Sequence, residues 1–376
     1  VSVICKKSGF KNVRLCILYS LTFFVFAWSI SCKKNRKDDA FEIIWAGKKA
    51  VAVRIPANVK ENIKLGNFME NAQVRLTEAD QPVSILGEFG QENGAFRFTP
   101  LIPFTRGLQY EILIGGARVG SFKIPEGNPE DAPILLGIFP SADTLPENLL
   151  KIYLKFSQPM REGQSGSFVK LIKNNTDTIK NAFLDLQPEL WNADRTMLTL
   201  WLDPGRIKRD LQPNKKLGAP LISHNNYRII ISEEWQSQQN QNLIQPYSKN
   251  FITISRDSLS PQPSKWKIET PEKNTTGILQ ISFFESLDYG LLNETLSVYT
   301  NGGKNLPGNW KFSETESVAF FTPKEKWSAG AYSLRVETRL EDVSGNNINR
   351  PFDRDVSTKI KVSTEKFLGL PFTIKE

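Results

Sequence analysis

Histidine occurs once in this 376-residue sequence, and cysteine and methionine three times each. A single histidine, His224, excludes any metal site built on several imidazoles and leaves one candidate base for a serine or cysteine nucleophile. It stands in Ser223-His224-Asn225-Asn226, just ahead of a strand pattern. Such a run of small polar residues is turn chemistry, which argues against catalysis. The paired acids Glu233-Glu234 and Asp353/Asp355 read as solvated loop charges. No glycine-rich phosphate loop and no thiolate cluster is present, so no cofactor is implied. Long runs of helical periodicity are also missing. One helical turn fits within 204–217, and the glutamine- and asparagine-rich 236–245 reads as an exposed loop.

What is present begins with an export signal. Residues 6–14 are basic, 15–31 (LCILYSLTFFVFAWSIS) are apolar with small residues near the end, and Cys32 is followed at once by charge. That is the order of a secretory signal, and its apolar run falls short of the roughly 20 residues of a comfortable spanning helix. Ser29-Ile30-Ser31-Cys32 resembles the lipobox of bacterial lipoproteins, with Trp28 or Ser29 where leucine is usual. The resemblance implies cleavage of 1–31, acyl chains on Cys32, and attachment to the outer membrane. An uncleaved N-terminal anchor is the plainer alternative, and either places the rest of the chain outside the cytoplasm. Lys37-Asp38-Asp39 resembles a short signal that sends some lipoproteins to the cell surface; it also reads as a charged linker.

Processing changes the charge and thiol accounts. Of the net charge of +8, Lys6, Lys7, Lys11 and Arg14 lie in the removed segment, which leaves about +4. Four more cations, Lys33, Lys34, Arg36 and Lys37, sit in the tether, so the body is close to balanced and nucleic acid is excluded as a partner. Cys5 and Cys16 go with the signal. The remaining domains have no disulfide to form and must be held by their cores.

The body repeats one plan three times. Phe96-Arg-Phe-Thr-Pro100 leads to Tyr110-Glu-Ile-Leu-Ile114, Leu200-Trp-Leu-Asp-Pro204 to Tyr227-Arg-Ile-Ile-Ile231, and Phe320-Phe-Thr-Pro323 to Tyr332-Ser-Leu-Arg-Val336. Each time an alternating strand closes at proline, which cannot donate to a ladder, and a tyrosine opens the next strand. Such a ring packs inward while its hydroxyl reaches backbone at the corner of a sandwich. Alternating strands at Val51–Ile55, Ile152–Phe156 and Leu279–Phe283 precede the three pairs. The predicted fold is all-β: tandem Ig-like antiparallel β-sandwich domains over 41–127, 132–256 and 262–364, with a 32–40 tether and a 365–376 C-terminal tail. Pro125–Pro133 and Ser258–Pro263 are the linkers.

Phe156-Ser-Gln-Pro159-Met160 and the Phe-Thr-Pro…Gly…Tyr pattern ending in Asp342-Val-Ser-Gly345-Asn346 resemble the bacterial Ig-like domain of surface-layer and other cell-surface proteins. Residues 132–364 also resemble an uncharacterised bacterial family, through Leu145–Leu149, Glu189-Leu-Trp191, Asp203–Arg209 and Arg350-Pro-Phe352. These likenesses imply architecture, not activity. The expected function is that of a lipid-anchored, non-enzymatic envelope protein, an interaction or spacer module whose partners are the membrane and other envelope proteins. A glycan-binding module is the alternative and needs an exposed row of aromatics, with Trp191, Trp201, Trp235 and Trp310 as candidates. A hydrolase ranks third.

Two motifs carry candidate sites. Arg206, Lys208 and Arg209, beside the Asp203-Pro-Gly turn, could grip a carboxylate, a sulfated sugar or phospholipid headgroups. Alternatively, Arg206 and Arg209 pair with Glu189 or Asp185 inside the domain. Asp342-x-x-Gly345-Asn346 offers oxygen ligands to calcium, but glycine and asparagine at positive φ make it first of all a turn.

Overall fold

The computed structural model describes residues 41–56, 71–77, 84–92, 95–209, 211–353 and 364–376. Cys32, the 32–40 tether with Lys37-Asp38-Asp39, and Asp355 lie outside the described residues. Among the described residues no helix is long and apolar enough to cross a membrane.

The strands gather around three separate hydrophobic cores, each closed between two sheets. The first domain contains β1 (Glu42–Ala46), β2 (Lys49–Ile55), β3 (Ala72–Leu76), β4 (Gly87–Glu92), β5 (Ala95–Pro100), β6 (Gln109–Ile114) and β7 (Ala117–Lys123). They are ordered β1-β2-β5-β4 in one sheet and β3-β6-β7 in the other. The second has β8 (Leu135–Phe139), β9 (Thr144–Pro146), β10 (Lys151–Phe156), β11 (Val169–Lys173), β12 (Asp177–Thr178), β13 (Leu190–Trp191), β14 (Met197–Trp201), β15 (Asn226–Ile231) and β16 (Tyr247–Ile254). Its sheets run β13-β14-β10-β8 and β12-β11-β15-β16-β9. The third has β17 (Lys267–Glu269), β18 (Leu279–Ser282), β19 (Leu296–Thr300), β20 (Gly308–Phe312), β21 (Val318–Pro323), β22 (Gly330–Glu337) and β23 (Phe367–Ile374), as β17-β18-β21-β20 facing β19-β22-β23. The fold is all-β, a tandem of Ig-like sandwiches. Among the described strands one pair is parallel: β9 lies along β16 with Ile252 opposite Thr144. The chain changes sheet between β8 and β9, so β9 arrives alongside the last strand in the same direction.

Period-two burial produces the sandwiches. In β10 Ile152, Leu154 and Phe156 are buried, in β21 Ala319, Phe321 and Pro323, and in β15 Tyr227, Ile229 and Ile231. Each residue of these triplets points to the same face, which is what a strand with one wet side requires.

The repeated tyrosine works as a corner in all three domains. Tyr110 Oη accepts from the Thr105 N–H at 2.9 Å, Tyr227 Oη from Ile222 N–H at 2.8 Å, and Tyr332 Oη from Ser328 N–H at 3.3 Å. Each ring also stacks on a phenylalanine directly opposite on the next strand: Phe122, Phe251 and Phe372. The centroid separations are 5.6, 5.5 and 5.5 Å.

That third phenylalanine corrects an expectation. Residues 365–376 are not a tail. Phe367–Ile374 pairs along its whole length with β22, with Leu334 opposite Leu370 and Tyr332 opposite Phe372, and buries Phe372 and Ile374 in the third core. The strand contains Gly369 and Pro371, which discourage a strand reading, but it lies at a sheet edge where a missing N–H costs nothing.

Among the described residues helix is scarce and short: α1 (Ser165–Phe168), α2 (Pro204–Ile207), α3 (Gln212–Leu217) and α4 (Tyr289–Thr295). The expected single turn in 204–217 is two.

Candidate functional site

The basic motif resolves into three unlike residues. Asp203 caps α2 by accepting the Gly205 N–H at 2.8 Å, and Pro204 takes the first helical position, where it has no donor to lose. This turn aims Arg206 inward, where it is 5% exposed. Its guanidinium donates to four carbonyls: Asn181 O at 2.8 Å, Gly218 O at 2.9 Å, Lys180 O at 3.3 Å and Leu217 O at 3.4 Å. Two of these are end carbonyls of α3, groups that no turn of the helix satisfies. Lys208 lies over the Phe352 ring at 4.3 Å, and Arg209, exposed, pairs with Asp353 at 3.3 Å. Arg206 is therefore an internal brace. It holds the 204–218 insertion to the sandwich, but through carbonyls and not through Glu189 or Asp185. Glu189 is occupied by the Gly163 and Ser165 N–H groups at 2.7 Å and by Trp191 Nε1 at 2.8 Å, hydrogen bonds that outweigh burial and hold its carboxyl below the usual range. Replacing Arg206 with alanine strands buried carbonyls. It should destabilise the fold by about 2–3 kcal/mol, and lysine, lacking the planar fork, should recover little of this. The denaturant midpoint measures both.

The four candidate tryptophans form no exposed row. Trp235 is fully enclosed and donates Nε1–H to Arg161 O at 3.1 Å. Trp191 packs edge-on to it, Trp310 packs against the third core through a tilted contact with Phe321, and Trp201 faces Lys151. His224 is in an exposed turn with φ 58°, its N–H donating to Thr253 O. A groove of about 610 Å³ in the second domain is lined by Leu171, Glu189 and Leu198 among others, and His224 does not line it.

Chemistry-bearing side chains converge instead at the junction of the second and third domains. Lys151 of β10 reaches Asp288 at 3.0 Å and Glu341 at 2.6 Å in the third domain. Tyr153, two residues on and on the same face, donates its hydroxyl to both oxygens of Asp288 at 2.7 and 2.9 Å. Asp288 is also the N-cap of α4, accepting the Leu291 N–H at 3.0 Å. Burial pulls the Lys151 ammonium down, but the Asp288 and Glu341 charges outweigh it and hold the group above its ordinary value. Burial pushes the Tyr153 phenol up, and Asp288 pushes it further. Glu316, buried in the β20–β21 turn, accepts from Ser141 N–H at 3.0 Å and Ser141 Oγ at 2.7 Å, and Tyr289 stacks on Phe139 at 3.7 Å.

The Asp342–Asn346 turn completes the junction. Asp342 Oδ1 accepts the Ser344 and Asn346 N–H groups at 2.7 and 3.0 Å, which closes the turn. Gly345 sits at φ 80° directly against Leu150, so both backbone and space require glycine. The turn enters the open end of the second sandwich. Leu150 N–H donates to Val343 O at 3.0 Å, and Val343 and Phe352 pack on the second core. Arg256 ties Asp353 at 3.0 Å.

One oxygen each from Asp257, Glu285 and Asp342 lies within 4.8 Å of the others beside this turn. The donors are the hard oxygens calcium prefers, but three make up half or fewer of the six to eight it takes. The junction with the first domain differs in kind. Its contacts are polar: Asn240 Nδ2 to Arg106 O, Gln241 Nε2 to Asn128 O, and the partly exposed Lys48–Asp131 pair. The amide-rich 236–245 segment is thus a contact with the first domain and, with Ser237 and Leu243 buried, only partly the exposed loop its composition suggests.

No known family matches the chain, and no curated protein does. Solved structures similar to it include the chicken CNTN1 FN1-FN3 domains, at 9% identity and TM-score 0.19 over 90% of this chain and 98% of that one. The N-terminal part of the bacterial S-layer protein SbsC is 9% identical at TM-score 0.22, over 65% and 44%. The MG0-NIE-MG1 domains of Escherichia coli alpha-2-macroglobulin are 12% identical at TM-score 0.23, over 80% and 94%. Overlap this slight carries no argument about function, and the sandwich assignment rests on the strands and sheets themselves.

Proposed function

We propose that the chain is a lipid-anchored, non-enzymatic protein of the bacterial cell envelope, attached to the outer membrane through Cys32, and that it works as a spacer presenting an interaction surface. The observation that carries the spacer reading is the junction of the second and third domains. A hinge between domains shows small, polar, exposed contacts. Here a turn of one domain packs against the core of the next, and a buried ammonium is shared across the boundary. A stiff two-domain body on a polar joint suits holding something at a set distance from a surface. The export signal, with Cys32 at its end, supplies the anchor, since several buried acyl chains make attachment stable at about 0.8 kcal/mol per CH₂. The partners of such a module are other envelope proteins. The glycan alternative loses its motivating feature once Trp235 is enclosed and Trp191 and Trp310 are turned to the cores.

Cys32→Ala in the full chain is the test. Labelled fatty acid should be lost from the protein, and an unprocessed precursor should accumulate. Unchanged labelling and processing would remove the anchor from the account.

A further inference from the structure

We propose that the joint between the second and third domains is a proton-responsive lock, set by the carboxylate trio Asp257, Glu285 and Asp342 and read out by the seating of the Asp342–Asn346 turn. The trio joins the three parts that must stay together. Asp257 belongs to the chain leaving the second domain, and Asn148 of that domain grips it twice, donating to Asp257 O at 2.7 Å and accepting the Asp257 N–H at 2.9 Å. Glu285 follows β18 in the third domain. Asp342 opens the turn that is seated in the second core.

The groups facing these carboxylates are neutral. Asp257 Oδ1 accepts the Leu259 N–H, Asp342 Oδ2 accepts Asn346 Nδ2–H at 2.8 Å, and Glu285 accepts the Gln262 backbone N–H. The basic residue next in sequence, Arg256, is committed to Asp353 and Glu147. Three charges crowded together without a cation repel one another, and burial raises the cost. Burial, with the charge of Asp257 added, pushes both Glu285 and Asp342 up to about 7. An acid raised in the folded state is fully stabilising while neutral, below its unfolded value, and that contribution is lost as pH rises through the folded value. Between about pH 4 and 7 the lock therefore weakens with rising pH, and above that it stays weakened. Repulsion acts on Asp342, whose turn carries Val343 and Gly345 into the second domain, so the charge is converted into unseating of the turn.

The experiment compares the wild-type chain with Glu285→Gln, which keeps the acceptor for Gln262 and removes the charge, and with Asp257→Asn, which keeps the acceptor for Leu259. Melting is followed from pH 5 to 8.5 in EDTA, so that no metal ion bridges the trio. The protection factor of the Leu150 amide, bonded to Val343 O, is measured by hydrogen exchange. The wild type should lose about 5 °C or more across the range, with Leu150 protection falling at least tenfold. Either variant should show a flatter profile and a higher midpoint at pH 8. If one variant fails to fold, the other supplies the comparison. A wild-type midpoint independent of pH, or variants with the wild-type slope, would overturn the proposal.

Discussion

Ending the chain after Glu365 is expected to unfold the third domain and to lower the stability of the second with it. The truncation removes β23, which pairs along all eight of its residues with β22. It deletes Phe372, the stacking partner of the corner Tyr332, and the enclosed Ile374. Two buried large side chains removed from a core cost several kcal/mol (about 2–5 each) before any hydrogen bond is counted. That is comparable to the whole stability of a domain of this size. Because the Asp342–Asn346 turn belongs to the third domain, its loss leaves Leu150 N–H and the Val343 contact surface of the second domain uncovered. Circular dichroism and a denaturant titration of the truncated chain should show loss of cooperative structure beyond the share of the deleted residues.

Lys151→Met has the second largest effect. The ammonium is about one-tenth exposed and serves Asp288, which is more enclosed still, and Glu341. Removing it leaves two carboxylates of the third domain facing an apolar side chain in the joint. Breaking a buried pair on one side costs about 3–5 kcal/mol, most of it the stranded charge. The cost falls on docking, since Lys151 and its acids belong to different domains. The double variant Lys151→Met/Asp288→Asn removes one stranded charge and should recover part of the loss. Urea denaturation of the two variants measures both. Equal losses would place the penalty in packing of the methionine instead.

The contrast between what the sequence shows and what it hides is physical. Alternation and the Pro…Tyr spacing are local, so the three sandwiches and their corners are legible: Tyr110, Tyr227 and Tyr332 each perform the expected bond. Phe372 is not legible: the phenylalanine opposite each corner tyrosine emerges only from the paired strands, and Gly369 and Pro371 mask the strand that carries the third one. The joint is hidden because its members are far apart in sequence, Tyr153 and Asp288 by 135 residues and Lys151 and Glu341 by 190. Nothing in the run Asp288-Tyr-Gly-Leu says more than helix cap. For Arg206 the residue type leaves a surface grip and an internal ion pair both open, while the cap and proline before it turn the side chain inward, where it satisfies carbonyls instead of a carboxylate. Composition cannot tell an arginine that binds outward from one that braces inward.

The second and third domains form one body, with the first attached through a polar joint. Scanning calorimetry of the intact chain should therefore show two transitions, one for the first domain and one larger, cooperative transition in which the second and third domains melt together, splitting in Lys151→Met. Three transitions in the wild type, with the second and third domains melting independently, would contradict it.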